Sequence, residues 1–348
     1  MTNREAVLTL EYRFQQEKIM KKLISVLLIL AMVVAFAGCS GEKASETPAQ
    51  TEAVLQAADD GLLKTAQWLQ TQVPEPSFGS LGGEWLALGI ARSELEGMEE
   101  YLEGYGERVA AYTAEQGGVL HAKKYTEYSR VILAWTAIGR DASDVGGFNL
   151  LTPLADFEQT VFQGVNGPIF ALLALDCGGY EIPENVANST QATRDMYVDY
   201  IVNAECPDGG WNLAGGPAEA DITAMALQAL AKYRERPDVA EAVERGITVL
   251  SGMQNVNGGF SANNSESSES IAQAIVAVTE LGISLEDSRF VKNGNTLKDA
   301  LLRFRLSDGS FSHLMDDSSD LLATEQAFYA LVAIDRMEQG KTSLYSIK

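Results

Sequence analysis

Asp208-Gly209-Gly210-Trp211, Glu219-Ala220-Asp221-Ile222-Thr223 and Ala224-Met225-Ala226-Leu227-Gln228-Ala229-Leu230 follow closely on one another. They read as a loop, a helix cap and a buried helix. Paired glycines let a chain leaving a helix turn through positive φ, and Trp211 drops back as an apolar plug. Asp221 and Thr223 are candidate caps for the next helix. The Ala/Leu run is apolar nearly all round, so its helix is expected to be covered on most sides.

The same pattern recurs. Asn257-Gly258-Gly259-Phe260 precedes Ser267-Ser268-Glu269 and Ala272-Gln273-Ala274-Ile275-Val276. Asp308-Gly309-Ser310-Phe311 precedes Ser319-Asp320 and Ala323-Thr324-Glu325-Gln326-Ala327. Weaker copies start at Gly82-Gly83-Glu84-Trp85, Tyr128-Ser129-Arg130 and Asn166-Gly167-Pro168. A spacing of roughly 45 residues means one supersecondary unit per repeat, stacked because no unit can bury its apolar face alone. The spacing predicts six helix pairs: 53–71 with 85–95, 99–115 with 125–138, 151–163 with 168–175, 191–204 with 221–233, 239–253 with 269–281, and 296–306 with 323–339. The first helix of each pair carries the charges, and strand signals are nearly absent. The last apolar helix has no polar end cap, which favours ring closure over an open solenoid. The expected fold is all-α, an (α/α)6 toroid over 53–348 with the inner-helix N-termini on one rim.

The N-terminal part reads as a targeting segment. Met20-Lys21-Lys22 and the apolar run Leu23–Ala37 have the basic start and short apolar stretch of an export signal. Phe36-Ala37-Gly38-Cys39 resembles a bacterial lipoprotein cleavage box, which makes Cys39 the lipidation site. The run is shorter than the roughly 20 apolar residues of a spanning helix. Residues 1–39 are thus expected to be a signal peptide, with 1–19 a start-site extension, and 40–52 a flexible linker. The expected place is the extracytoplasmic face of the cell membrane, lipid-anchored.

Net charge is −22. Residues 1–39 hold five Lys/Arg and three Asp/Glu, leaving 21 basic and 45 acidic residues beyond them. Nucleic acid would repel such a surface, and it is not expected as a partner. Cys177 and Cys206 are the only cysteines besides Cys39, so no disulfide framework is expected.

The Gly-Gly-aromatic loops and the Asp-x-Thr-Ala helix start resemble the terpenoid cyclase and protein prenyltransferase toroid superfamily, over roughly residues 53–340. Asn166-Gly167-Pro168-Ile169-Phe170-Ala171-Leu172 and Ala323-Thr324-Glu325-Gln326-Ala327 look closest to exported bacterial toroids related to the α-domain of transcobalamin and intrinsic factor. The resemblance implies the fold, and it leaves isoprenoid enzymes, thioester proteins and cobalamin carriers as precedents. The small β domain of the cobalamin carriers is not expected, because the chain ends at Lys348.

Each activity was weighed on its residues. Prenyltransferases hold zinc with Asp, Cys and His, but here no Asp-x-Cys occurs and the only histidines are His121 and His313, the latter beside Asp316 and Asp317. Neither a metal nor a cofactor is expected. Neither Cys177 nor Cys206 sits in a thioester turn. Class II cyclases carry Asp-x-Asp-Asp-Thr-Ala; Glu219-Ala220-Asp221-Ile222-Thr223-Ala224 puts Asp221 on the acid position, but Ile222 replaces the tuning carboxylate. Glycan hydrolases on (α/α)6 barrels use two carboxylates. Glu84, Glu127, Asp221, Glu269 and Glu325 sit near inner-helix starts, where Trp85, Tyr128 and Trp211 could stack on sugars. Helix capping and loop plugging explain the same residues. The expectation is therefore a non-catalytic toroid, with Asp221 and Glu219 as weak catalytic candidates. Trp85, Tyr128, Trp211, Glu269 and Glu325 are the candidates for binding a small molecule, corrinoid-like by analogy, or a surface partner. The alternative is an enzyme of terpene cyclase or prenyltransferase type, or a glycan-active hydrolase.

Overall fold

A computed structural model of the chain describes residues 61–184, 189–262 and 265–348. The signal, the linker, Cys39 and the start of the first expected helix lie outside them. The described residues fall in one compact unit, Gln56–Lys348.

The helices are α1 (61–72), α2 (Trp85–Ser93), α3 (Glu99–Glu115), α4 (Thr126–Ala137), α5 (Phe157–Thr160), α6 (Asn166–Cys177), α7 (Arg194–Asn203), α8 (Ala220–Leu230), α9 (Pro237–Met253), α10 (Ser268–Glu280), α11 (Leu297–Leu302) and α12 (Leu321–Glu338). The even-numbered helices form the inner ring. Each packs on the next, and α12 packs back on α2, which closes it. The odd-numbered helices are the outer layer. The core is therefore continuous around the ring, built from such residues as Ile132, Leu172, Leu227, Ile275 and Phe328.

The three strong repeats fold alike, hydrogen bond for hydrogen bond. Gly209 N–H donates to the Cys206 carbonyl and Cys206 N–H to the Gly210 carbonyl; Gly258, Asn255 and Gly259 repeat this, as do Gly309, Leu306 and Ser310. The first glycine takes positive φ each time, at 83°, 86° and 94°. A side chain there would be strained, whereas the second position tolerates Ser310. The threonine of the inner helix then holds the aromatic plug: Thr223 Oγ1 accepts from Trp211 N at 3.0 Å, and Thr324 Oγ1 from Phe311 N at 2.9 Å.

Three local expectations are corrected. Asp221 does not cap α8. The helix starts at Ala220, with Glu219 at the cap position and no side-chain cap bond, because Glu219 N–H is tied to the Trp211 carbonyl. Second, the outer element of the third unit is not one helix but a series of short turns around α5. Pro153 opens a short turn over Thr152–Ala155, Asp156 after it is extended, and the backbone pairs with Thr190 and Ala192 instead. Third, two short antiparallel pairs occur on the rim, Ser261–Ala262 with Ser265–Glu266 and Phe311–Ser312 with Ser319–Asp320.

The inner-helix C-termini meet at the opposite rim, under the chain's last residues. Arg92 donates to the carbonyls of Thr342, Ser343, Leu344 and Ser346. Glu280 accepts from Ser343 Oγ and Tyr345 N, and the Cys177 carbonyl accepts from Ile347 and Lys348. The segment spans α2, α6 and α10, so it crosses this end of the toroid.

The two thiols occupy different rims. Cys177 ends α6 and is buried, and burial pushes its thiol up to about 12. Cys206 lies in the Gly-Gly-Trp turn and is partly exposed. A thiol reagent at pH 8 is expected to label Cys206 in the native protein and Cys177 only after unfolding, read by mass spectrometry of peptides. Equal native labelling of both would refute this placement.

Candidate active site at the N-terminal rim

Two buried carboxyls meet one loop at the seam where the last inner helix joins the first. The loop, Ser80–Glu84, leaves helical geometry at Leu81, Gly82 and Gly83. Gly82 has φ 73°. A Cβ on Gly83 would sit 2.3 Å from the Ser77 carbonyl oxygen, so only glycine fits. This tight path turns the Gly82 N–H inward.

Glu325, on the first turns of α12, receives it: Gly82 N donates to Glu325 Oε1 at 2.7 Å. Glu325 is 1% exposed, and its Oε2 is buried with no partner. An unpaired carboxylate in such a place is costly, so the proton stays on. Burial, resisted only by the Gly82 N–H, pushes its carboxyl up to about 8, and the charges of Glu84 and Asp320 push the same way.

Glu84 is equally buried but differently held. Gly79 N donates to its Oε1 at 2.9 Å, and Arg130 Nε approaches Oε2 at 3.4 Å. Arg130 also pairs with Glu127. Burial raises Glu84 above the ordinary carboxylate range too, against the opposing pull of the Arg130 charge and the Gly79 N–H.

Trp85 begins α2 beside this pair. Its ring lies 5.7 Å from that of Phe170 and 6.0 Å from that of Tyr329. Helices α2 and α6 are not neighbours in the ring, so Trp85 and Phe170 meet across the interior. Gln273 Nε2 donates to Tyr329 Oη at 2.6 Å and to Gln326 Oε1 at 3.0 Å, while Gln228 Nε2 donates to Gln273 Oε1 at 3.1 Å. This belt fills the interior at mid-height.

Asp221 lies in the first turn of α8. Its Oδ1 is buried with no partner, and its charge reaches Tyr329. With Glu219, Phe260, Ser261 and Ser270 it lines a cavity of about 510 Å³ between α8 and α10. Glu269 lies further out and pairs with His313 Nδ1 at 2.7 Å. Among the described residues no three His, Cys, Asp or Glu side chains converge to hold a metal ion.

Trp85 lies near Tyr329, the charges of Glu325 and Asp221 both act on Tyr329, and Asp221 and Glu219 line the cavity between α8 and α10. The structure removes two candidates. Trp211 is fully buried, with Nε1 donating to the Ile201 carbonyl at 2.7 Å; the turn that forms it also draws it inward. Tyr128 is buried and its hydroxyl bonds the His121 carbonyl. Arg130, Phe170 and Tyr329 were not singled out from sequence. Arg130 lies one turn after Glu127 on a predicted inner helix, a spacing that pairs opposite charges.

No protein-family model matches the sequence, and no curated protein matches it. Solved structures do match by fold. One is the unsaturated glucuronyl hydrolase of Bacillus sp. GL1, responsible for the degradation of glycosaminoglycan: 16% identity, TM-score 0.54, covering 84% of this chain and 98% of that one. Another is the type II terpene cyclase MstE of Scytonema, at 12% identity and TM-score 0.55, covering 81% of this chain and 98% of that one. At such identities the likeness shows the fold alone, an (α/α)6 toroid. The non-catalytic expectation is not upheld: both of these matched toroids are enzymes.

Proposed function

We propose that the chain is a hydrolase of neutral, hydroxyl-rich substrates of glycan type, with Glu325 as its general acid. The observation that carries this is the buried, unpartnered Oε2 of Glu325, on a carboxyl that burial pushes up to about 8. Glu325 Oε2 gives its proton to the leaving glycosidic oxygen as the carbon–oxygen bond breaks. A water attacks the same carbon and passes its proton to Asp221, whose Oδ1 has no protein donor to satisfy. Trp85 offers an aromatic face to a sugar ring, and Gln273 and Gln326 suit hydroxyl groups. A uronate is disfavoured: Arg130 is spent on Glu84 and Glu127, and the remaining carboxyls would repel it.

One observation favours a second reading. Asp221 lies in Glu219-Ala220-Asp221-Ile222-Thr223 beside an aromatic floor that suits a carbocation. Incubation with neutral oligosaccharides and, separately, with polyprenyl alkenes distinguishes the two. Oligosaccharide cleavage that is lost in Glu325→Gln supports the first. Cyclisation lost in Asp221→Asn but kept in Glu325→Gln replaces it with the second.

The site is proposed to work at the outer face of the cell membrane, tethered through Cys39. Among the described residues no single helix is long and apolar enough to cross a membrane. The support for a tether is the apolar run that ends in Ala37-Gly38-Cys39. Cys39→Ala is expected to release the protein from membranes or leave it unprocessed; unchanged membrane processing in that variant rules the tether out.

A further inference from the structure

We propose that Glu84 is a positioning residue: it staples the Gly79–Glu84 loop so that Gly82 N–H engages Glu325 Oε1, which leaves Oε2 as the oxygen that carries the transferable proton. This rests on the reading of Glu325 as the acid.

The geometry has two linked halves. Glu84 Oε1 accepts from Gly79 N across five residues of its own loop, at 2.9 Å. That closes the loop into a ring, and Gly82 N, inside it, reaches Glu325 Oε1 at 2.7 Å. A carboxyl that accepts an N–H on one oxygen binds its proton on the other. Oε2 is buried with no protein partner, so no group of the protein competes for its proton. Loosening of the staple would let the carboxyl rotate, and either oxygen could then take the proton. The backbone closes the same ring, with Glu84 N donating to the Gly79 carbonyl at 3.1 Å, so the side chain of Glu84 adds a second closure to a loop whose Leu81 is 54% exposed.

Arg130 anchors the staple from the other side. It bridges Glu84 Oε2 and Glu127, which ties the loop to α4. The charged and titratable groups around the two carboxyls are Arg130 and Glu127 on α4, Tyr101 and Tyr105 on α3, Asp320 at the start of α12, and Tyr329 on α12. Tyr105 Oη is buried without a partner near Glu84. Arg130 is the cation among them, and it touches Glu84 rather than Glu325.

Two variants separate a positioning role from a structural one. In Glu84→Gln the amide oxygen still accepts from Gly79, so the staple holds while the charge is lost. In Glu84→Ala both go. The full chain, labelled with ¹³C at glutamate carboxyls, is titrated by NMR, with Glu325→Gln identifying the Glu325 signal. The Glu325 midpoint in Glu84→Gln is expected to fall by about one pH unit, because a neighbouring negative charge is gone. Oligosaccharide cleavage is expected to keep its kcat in Glu84→Gln, with the alkaline limb displaced by the same amount. In Glu84→Ala kcat is expected to fall about 100-fold at unchanged KM. An unmoved Glu325 midpoint in Glu84→Gln, or full kcat in Glu84→Ala, overturns the proposal. The NMR titration needs no substrate. A shifted midpoint without any glycan cleavage therefore upholds the Glu84–Glu325 link while rejecting the hydrolase reading.

Discussion

Glu325→Gln is expected to abolish turnover and to stabilise the protein at the same time. A general acid contributes about 10²- to 10⁴-fold to rate, and glutamine has no proton to give. The stability change follows from proton linkage. The Glu325 carboxyl is raised from its ordinary 4.5 to about 8. Between those pH values the folded state holds a proton that the unfolded chain releases, so stability falls as pH rises through this window. Below 4.5 the penalty vanishes, and above 8 it is complete. Glutamine stays neutral in both states and escapes it, while its Oε1 can still accept from Gly82. At about 1.4 kcal/mol per pH unit, the variant should gain about 3 kcal/mol at pH 7, or roughly 5–10 °C in Tm. Thermal unfolding at pH 5, 7 and 9 measures this. A gain that grows with pH is expected; a variant less stable than the parent at pH 9 would mean that Glu325 is a structural anion and not a stored acid.

Trp211→Ala is expected to cost about 4 kcal/mol of stability without touching substrate affinity. Removal of a buried Trp costs about 3–5 kcal/mol through lost contacts and the cavity left behind. The Nε1 bond to the Ile201 carbonyl goes as well. The packing around the ring leaves little room to collapse: a Cβ on Gly246 would already lie 2.7 Å from it. Urea unfolding reads the loss. Trp85→Ala is the contrast, since Trp85 is only partly buried, and its loss should raise KM for an oligosaccharide with a smaller stability change. If Trp211→Ala raised KM and left stability within about 0.5 kcal/mol of the parent, Trp211 would be a ligand platform and the plug reading would fall.

The architecture was legible because the chain writes it several times. A glycine needed at positive φ, an aromatic that must be covered and an apolar helix recur together, and the three strong copies close the same turn hydrogen bonds. One outer element broke the pattern, because Pro153 and the extended Asp156 divert residues 151–163 into turns that no period signals. Cap assignments failed more subtly. Asp221 has the chemistry of a cap, but α8 begins one residue earlier, at Ala220, and the Trp211 carbonyl decides where.

The site was legible as a set of acidic positions and illegible as a mechanism. Glu325 could be placed near an inner-helix start from its spacing alone. What makes it distinctive is the Gly82 N–H, 243 residues away in sequence, at the seam where the ring closes. No local pattern carries that pairing, nor the burial that follows from it. Arg130 escaped notice for a similar reason, since its partner Glu84 belongs to a different repeat.

The most direct test of the account is the protonation state of Glu325 itself. Titration of the ¹³C-labelled carboxyl in the unmodified protein, assigned against Glu325→Gln, reports it without substrate. A midpoint near 8, with Glu325 protonated at pH 7, is the expected result. A midpoint near 4.5 would show an ionised carboxylate at neutral pH, unable to serve as the proton donor, and would contradict the account.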